Sequence, residues 1–264
     1  MDHTDFEAAR SALREARRNA RCLEPVAPNW VPADLGQAMR LQCAVSTDLG
    51  RVRGWKVSGL TADQQRAMGV TSPLAGPLLG PWLRPSGEAS FTRSQFVRPR
   101  LECEFAFELS ADLPTRAGGY TRADVEKAIG AVRLGVEIVD SRLPQGSPVL
   151  MELADALNNG AYVVGAATAA WRDVRFAEQP IVLRWHDGTK TTEIATGNAQ
   201  PILDGDPVGA VVLLANLPAR HPHGLRAGEI VTTGSCTGAV AVPGAGDYEA
   251  DFGALGSVRL RFVS

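Results

Sequence analysis

The segment Arg98-Pro99-Arg100-Leu101-Glu102-Cys103-Glu104-Phe105-Ala106-Phe107-Glu108-Leu109 carries an alternation that suits a β-strand. Leu101, Cys103, Phe105, Phe107 and Leu109 fall on one face, and Glu102, Glu104, Ala106 and Glu108 on the other. Glu102 and Glu104 therefore point the same way, about 7 Å apart along the strand. Glutamate is depleted in strands and seldom buried without a partner. Two readings follow from the pattern. One is the solvated face of a half-buried strand. The other is part of a site for a hard divalent cation, because Mg²⁺ and Mn²⁺ prefer carboxylate oxygens. The second reading requires a third carboxylate from elsewhere in the fold.

Val132 to Arg142 is a nearly continuous apolar strand that holds one glutamate, Glu137. A carboxylate in such a run is costly to bury unless it is paired or bound to metal, so Glu137 is the candidate third ligand. Asp140 and Arg142 at the end of the run read first as a structural ion pair, with Arg142 also a candidate for a substrate carboxylate. Lys56 lies between Trp55 and Val57 on a short strand over residues 51–60. It reads either as a snorkelling surface lysine or as an ammonium emerging from an apolar surround. Gly234-Ser235-Cys236-Thr237-Gly238 is not a nucleophile elbow, because its serine directly follows the first glycine. The loop can still offer hydroxyls and backbone N–H groups to a carboxylate, with Ser235 and Thr237 as the side chains concerned. His221-Pro222-His223 lacks a third ligand at zinc spacing. No Gly-x-Gly-x-x-Gly follows a strand, which removes support for a dinucleotide fold.

A chain of 264 residues suffices for one large domain with a small N-terminal appendage. Its net charge of −2 gives no electrostatic footprint for nucleic acid or an anionic membrane. Cys22, Cys43, Cys103 and Cys236 form no CxxC and read as free thiols of a reducing compartment. With no apolar signal segment or membrane-length run, a cytoplasmic protein is expected. Helical periodicity predicts helices over residues 5–21 and from 34 to about 47, joined by a proline-bearing linker. They form a cap or arm over residues 1–50, ahead of a main domain over 51–264. Strands are expected around 89–92, 101–109, 132–142, 161–167, 180–185, 190–195, 229–233, 247–252 and 257–263. Helices are expected at 122–130, 148–156 and 207–219, and a Gly- and Pro-rich loop over 69–85.

Taken together, four stretches resemble the 2-keto-4-pentenoate hydratase / 4-oxalocrotonate decarboxylase family of the fumarylacetoacetase-like superfamily. They are Gly54-Trp55-Lys56-Val57, Arg98 to Glu104, Gly135 to Arg142, and the close from Gly224 to Val258 with its Gly234-Ser235 and Ala250-Asp251-Phe252-Gly253. The resemblance covers nearly the whole chain. It implies an α+β fold, a mixed β-sheet rolled into a barrel-like core, around a Mg²⁺ or Mn²⁺ site. Glu102, Glu104 and Glu137 match the family's metal ligands, and Lys56 its active-site lysine. Two departures stand out. Pro73-Leu74-Ala75-Gly76 has no acid where the family's hydratases usually carry one, and Leu157-Asn158-Asn159 replaces small hydroxyl residues.

The implied substrate is a 2-oxo or 2-hydroxydienoic acid, whose enolate a divalent ion stabilises at the keto oxygen. Lys56 would place a positive charge or a proton beside that enolate. Asn158 and Ser235 are the candidates for positioning water. Hydration of a 2-hydroxy-2,4-dienoate is the favoured outcome. Decarboxylation of a 4-oxalocrotonate-type acid and C–C hydrolysis of an acylpyruvate are the alternatives, and a non-catalytic partner subunit is a reading from another class. A homo-oligomer is expected, with a complex with a pathway enzyme as a further expectation.

Overall fold

In the computed structural model, which describes residues 1–217 and 224–264, the chain opens with helix α1 (His3–Arg18) and helix α2 (Leu35–Leu49). Their starts are set by side-chain caps: Asp2 accepts from the Asp5 N–H, and Asp34 from the Gln37 N–H. Next come β1 (Val52–Ser58), α3 (Ala62–Met68), β2 (Leu74–Leu79), β3 (Leu83–Pro85), β4 (Ala89–Thr92) and β5 (Arg100–Leu109). The middle of the chain runs through α4 (Arg122–Ala128), β6 (Ile129–Val139), α5 (Val149–Ala154), β7 (Asn159–Thr168) and the hairpin β8 (Ile181–His186) with β9 (Thr191–Gly197). It closes with α6 (Pro207–Ala215), β10 (Ile230–Thr232), β11 (Val240–Ala241), β12 (Gly246–Asp251) and β13 (Ser257–Val263).

One mixed sheet has the order β2-β1-β10-β5-β6-β7-β3, with β11 added beside β5, and a second has the order β4-β13-β12-β8-β9. The first curls into a half-barrel, as the α+β expectation required. One face bears Cys103, Phe105 and Phe107 and packs against the second sheet. There Phe105 meets Phe252 and Phe176 edge-on at ring-centroid distances of 5.4 and 4.9 Å. The opposite face carries the cluster of Leu78, Ala106, Tyr162 and Ile230, and this is the face to which Glu102 and Glu104 belong by parity.

Leu13, Leu41 and Val45 of the N-terminal helices share a core cluster with Leu79, Leu143 and Met151, so α1 and α2 lie against the main sheet. Arg17 reaches across to the Asn159 and Gly160 carbonyls, at 2.5 and 3.0 Å, and stacks on Trp82. The loop expected over 69–85 is corrected: β2 and β3 occupy most of it. Gly76 and Pro77 hide the strand signal, yet β2 is a sheet edge, where a proline costs no ladder bond. Helix α3 was not anticipated; Thr61 and Gln64 form a capping box at its start. The His221-Pro222-His223 motif lies outside the described residues. Among the described residues no helix is long and apolar enough to cross a membrane.

Candidate metal centre

Strand register builds the site. In the antiparallel β5–β6 pair Glu102 stands directly opposite Glu137, and Glu104 opposite Gly135. Directly opposed residues share a face, so the three carboxylates meet; one oxygen from each lies within 4.8 Å of the others. Glu104 and Glu137 are buried and Glu102 is partly exposed. Lys56 enters from β1 on the same face, with Nζ 3.1 Å from Glu137 Oε1. The Asn159 amide donates to that same oxygen at 3.0 Å.

Three like charges in one recess are unfavourable without a counter-ion, and the titration behaviour reflects this. Burial, and then the Glu137 and Glu102 charges, hold Glu104 well above the ordinary carboxylate range. Burial likewise raises Glu102, with Lys56 opposing. For Lys56, burial works to lower the ammonium's pKa, but the charges of Glu137, Glu102 and Glu104 together outweigh it, so the lysine is raised and stays protonated. Glu104 Oε2, Glu137 Oε2, Tyr162 Oη, Thr232 Oγ1, Asn158 Oδ1 and Ser235 Oγ are buried without a hydrogen-bond partner among the described residues. Buried polar atoms normally have partners. Free carboxylate oxygens converging at cation spacing, with only oxygen donors among the three ligands, fit a hard divalent ion.

The remaining expectations sort by position. Arg142 is corrected as a substrate-binding residue. It is buried, and its guanidinium bonds to Asp155 (Nε to Oδ1 at 3.1 Å, Nη2 to Oδ2 at 3.0 Å) and to three backbone carbonyls. The principal ion-pair partner is therefore Asp155. Asp140, 3.9 Å away, instead accepts from the Val97 and Arg98 N–H groups. Thr237 has its hydroxyl engaged as well: it accepts from the Cys103 N–H at 3.1 Å and donates to the Gly238 carbonyl. It clamps the loop to β5, so its O–H and one lone pair are already engaged within the chain. Ser235 keeps a buried, unpaired hydroxyl.

Asn158 closes a turn in which Ala156, Leu157 and Asn158 have φ of 55°, 53° and 61°. Left-handed backbone costs an L-residue about 1–2 kcal/mol, so packing must hold this turn. Leu157 sits in a cluster with Leu74, Leu153 and Ala38. The turn presses on Gly76, where a Cβ would stand 2.5 Å from the Ala156 carbonyl oxygen. Gly76 pairs with Lys56 across β1 and β2, so the turn flanks the lysine's strand.

Sequence reasoning missed Tyr162, Asn159, Thr232 and Glu152. Tyr162 pairs with Glu137 on β7, and its ring covers Gly135, where a Cβ would stand 1.9 Å from the hydroxyl. Burial, then the charges of Glu104 and Glu137, raise its phenol well above the ordinary value. Its signal was a same-face position two strands from Glu102, visible only once register is known.

No family model matches the chain. Over 268 residues it is 30% identical to a 2-keto-4-pentenoate hydratase of Burkholderia vietnamiensis, covering 99% of each chain. The chain belongs to the 2-keto-4-pentenoate hydratase / 4-oxalocrotonate decarboxylase family. Over 207 residues it is 31% identical to a 4-oxalocrotonate decarboxylase of Pseudomonas putida, covering 78% of this chain and 75% of that one. The fold of 4-oxalocrotonate decarboxylase from Pseudomonas putida G7, solved with magnesium and adipate, superposes at a TM-score of 0.86 and 23% identity, covering 100% of this chain and 99% of that one. A fumarylpyruvate hydrolase from Pseudomonas aeruginosa, solved with Mn²⁺ and pyruvate, gives a TM-score of 0.55 at 17% identity, covering 81% of this chain and 90% of that one. The half-barrel of this hydratase/decarboxylase family is thus the fold of the present chain over its full length.

Proposed function

We propose that the chain is a divalent-metal-dependent hydratase that adds water to a 2-hydroxy-2,4-dienoate to give a 4-hydroxy-2-oxo acid. The observation that carries this is the convergence of Glu102, Glu104 and Glu137 with the Lys56 ammonium on Glu137. Glu102, Glu104 and Glu137 are the residues that would hold Mg²⁺ or Mn²⁺. The ion, when bound, supplies Lewis acidity to the carboxylate and keto oxygens of a 2-oxo acid.

The chain's own groups then divide the work. Lys56 is kept charged by three glutamates and stands ready to stabilise negative charge on a keto oxygen. Asn159 fixes the Glu137 carboxylate from the other side, which sets the direction of its free oxygen. Tyr162, Leu78 and Ile230 make an apolar floor that keeps bulk water from the carbon chain of the substrate. Ser235 and Asn158 offer buried polar atoms with no partner among the described residues, suited to orient one water. The relatives' names support hydration first and decarboxylation second.

A decarboxylase of 4-oxalocrotonate-type acids is the second reading, favoured by Leu74, a buried apolar side chain at the position where hydratases usually carry an acid. A panel of 2-hydroxydienoates and 2-oxo diacids with Mg²⁺ or Mn²⁺ separates the two. Ultraviolet loss of the dienoate without CO₂ release is expected. CO₂ release from the diacids alone would establish the decarboxylase instead. Turnover of neither, in the presence of either ion, would return the chain to the non-catalytic reading.

A further inference from the structure

Water addition needs a group that takes a proton from water and later gives one back, at the end of the substrate remote from the keto oxygen. Glu102, Glu104 and Glu137 are engaged by the ion in the reading above, and Lys56 is bound to Glu137. Glu152 is close enough to Lys56 for their charges to interact, and it shares a hydrogen bond with Asn158. Glu152 lies on α5, whose Met151, Leu153 and Ala154 are buried, while Glu152 itself is half-buried. The left-handed turn 156–158 folds back beside it. That turn is seated by the Leu74, Leu153 and Leu157 cluster and by the missing side chain of Gly76, opposite Lys56. It places Asn158 beside Glu152, with Oδ1 of that asparagine buried and unpaired. Asp155, the other acid on this side, is bound to Arg142.

We propose that Glu152 is the acid–base residue for the substrate end remote from the metal, with Asn158 positioning it. The assignment rests on the hydratase reading. The 2-hydroxydienoate first becomes a 2-oxo-3-enoate as its enol proton is lost and a proton is gained at C5. Water then bonds to C4 through its oxygen, and the O–H bond that breaks gives its proton to the Glu152 carboxylate. The C3=C4 pair becomes the C2=C3 bond, and the C2=O pair moves onto the keto oxygen beside the Lys56 ammonium. When that pair returns, C3 takes up a proton from solvent at the metal end, and Glu152 releases the proton it took from water to solvent. The sum is one water added across C3=C4, with no redox partner. The surroundings suit the role. Burial raises Glu152, while Asn158 as hydrogen-bond donor and the Lys56 charge oppose the rise and the Asp155 charge adds to it. A carboxylate lifted toward neutral pH is better matched to taking and returning a proton.

The test uses the Mg²⁺-loaded enzyme and two assays: hydration of 2-hydroxypenta-2,4-dienoate, and solvent deuterium exchange at C3 of 2-oxopentanoate, followed by NMR. Exchange needs the metal end alone; hydration needs both ends. Glu152→Gln is expected to lose hydration by roughly 10²–10⁴-fold, the range for a general acid–base group, while C3 exchange stays near wild type. Glu152→Asp should recover part of the loss. Asn158→Ala removes the donor that lowers the Glu152 pKa, so it should move the acidic limb of the kcat/KM profile to higher pH. Hydration by Glu152→Gln at the wild-type rate would overturn the assignment. So would a parallel loss of both reactions at unchanged melting temperature, because Glu152 would then serve the metal end. A wild-type enzyme that exchanges C3 but hydrates no dienoate would instead refute the hydratase reading on which the assignment stands.

Discussion

Lys56 is buried to 8% exposure, and three carboxylates keep it charged. That arrangement has a chemical use only if negative charge develops beside it. Lys56→Met keeps the stem and removes the ammonium. A kcat loss of roughly 10²–10³ is expected, as for one oxyanion-stabilising donor. Metal affinity, read by calorimetric titration, should hold or rise, because a competing positive charge leaves Glu137. Unchanged kcat would make the ammonium a structural counter-charge, and a raised KM alone would make it a uniform binding group. At this scale the sequence was partly legible. Strand parity put Glu102 and Glu104 on one face, and an apolar surround singled out Glu137. The Arg142–Asp155 pair was hidden because the acid lies thirteen residues on, past an irregular turn. The helix that carries Glu152 was legible at 148–156, but the left-handed turn that follows it and sets Asn158 beside Glu152 has no periodic signal. Thr237 looked available because the hydrogen bond from the Cys103 N–H is a tertiary contact.

Elements were legible where one period dominates. α1 begins at its cap and shows its apolar stripe of Ala9, Leu13 and Ala16. The long strands β5 and β6 lie within one to three residues of where alternation and apolar runs put them. The failure at β2 has a physical cause: Leu-Ala-Gly-Pro-Leu-Leu is a poor intrinsic strand, and its pairing partner β1 supplies what propensity does not. Gly135 shows how register becomes a site. It faces Glu104 across the ladder, and the Tyr162 ring fills the space where its side chain would be. A Gly135→Ala methyl has nowhere to go unless Tyr162 moves. Overpacking of this kind costs about 1–3 kcal/mol, more than the strand gains from alanine. Denaturant unfolding in chelator should show that loss, and Mg²⁺ affinity should fall because Tyr162 borders both Glu104 and Glu137. Wild-type stability together with wild-type affinity would mean that the ring is free to swing away.

For the molecule as a whole, the metal centre couples stability to both pH and ion concentration. In the metal-free protein Glu102 and Glu104 have folded pKa values above the ordinary 4.5, through burial first and then through neighbouring charge. A carboxylate raised on folding holds its proton more tightly in the folded state. Its contribution to stability is therefore complete below 4.5 and is lost as pH rises through the folded value. Asp48, Asp247 and Asp251 are depressed below 3.8, so their opposite contributions change only at lower pH. Asp155 and Glu229 are raised too and share the sign of the metal glutamates, so the ion is what isolates the site. A divalent cation competes with the same protons and binds only the folded arrangement. At a hundredfold excess over its Kd it stabilises by about 2.7 kcal/mol. The melting temperature in chelator should fall as pH is raised from 5 toward neutrality, and millimolar Mg²⁺ or Mn²⁺ should restore it. That restoration should be small near pH 5 and grow with pH. Glu137→Gln removes the ligand opposite Glu102 and should abolish most of it. An equal ion-induced rise in that variant, or one independent of pH, would place the bound ion away from these three carboxylates.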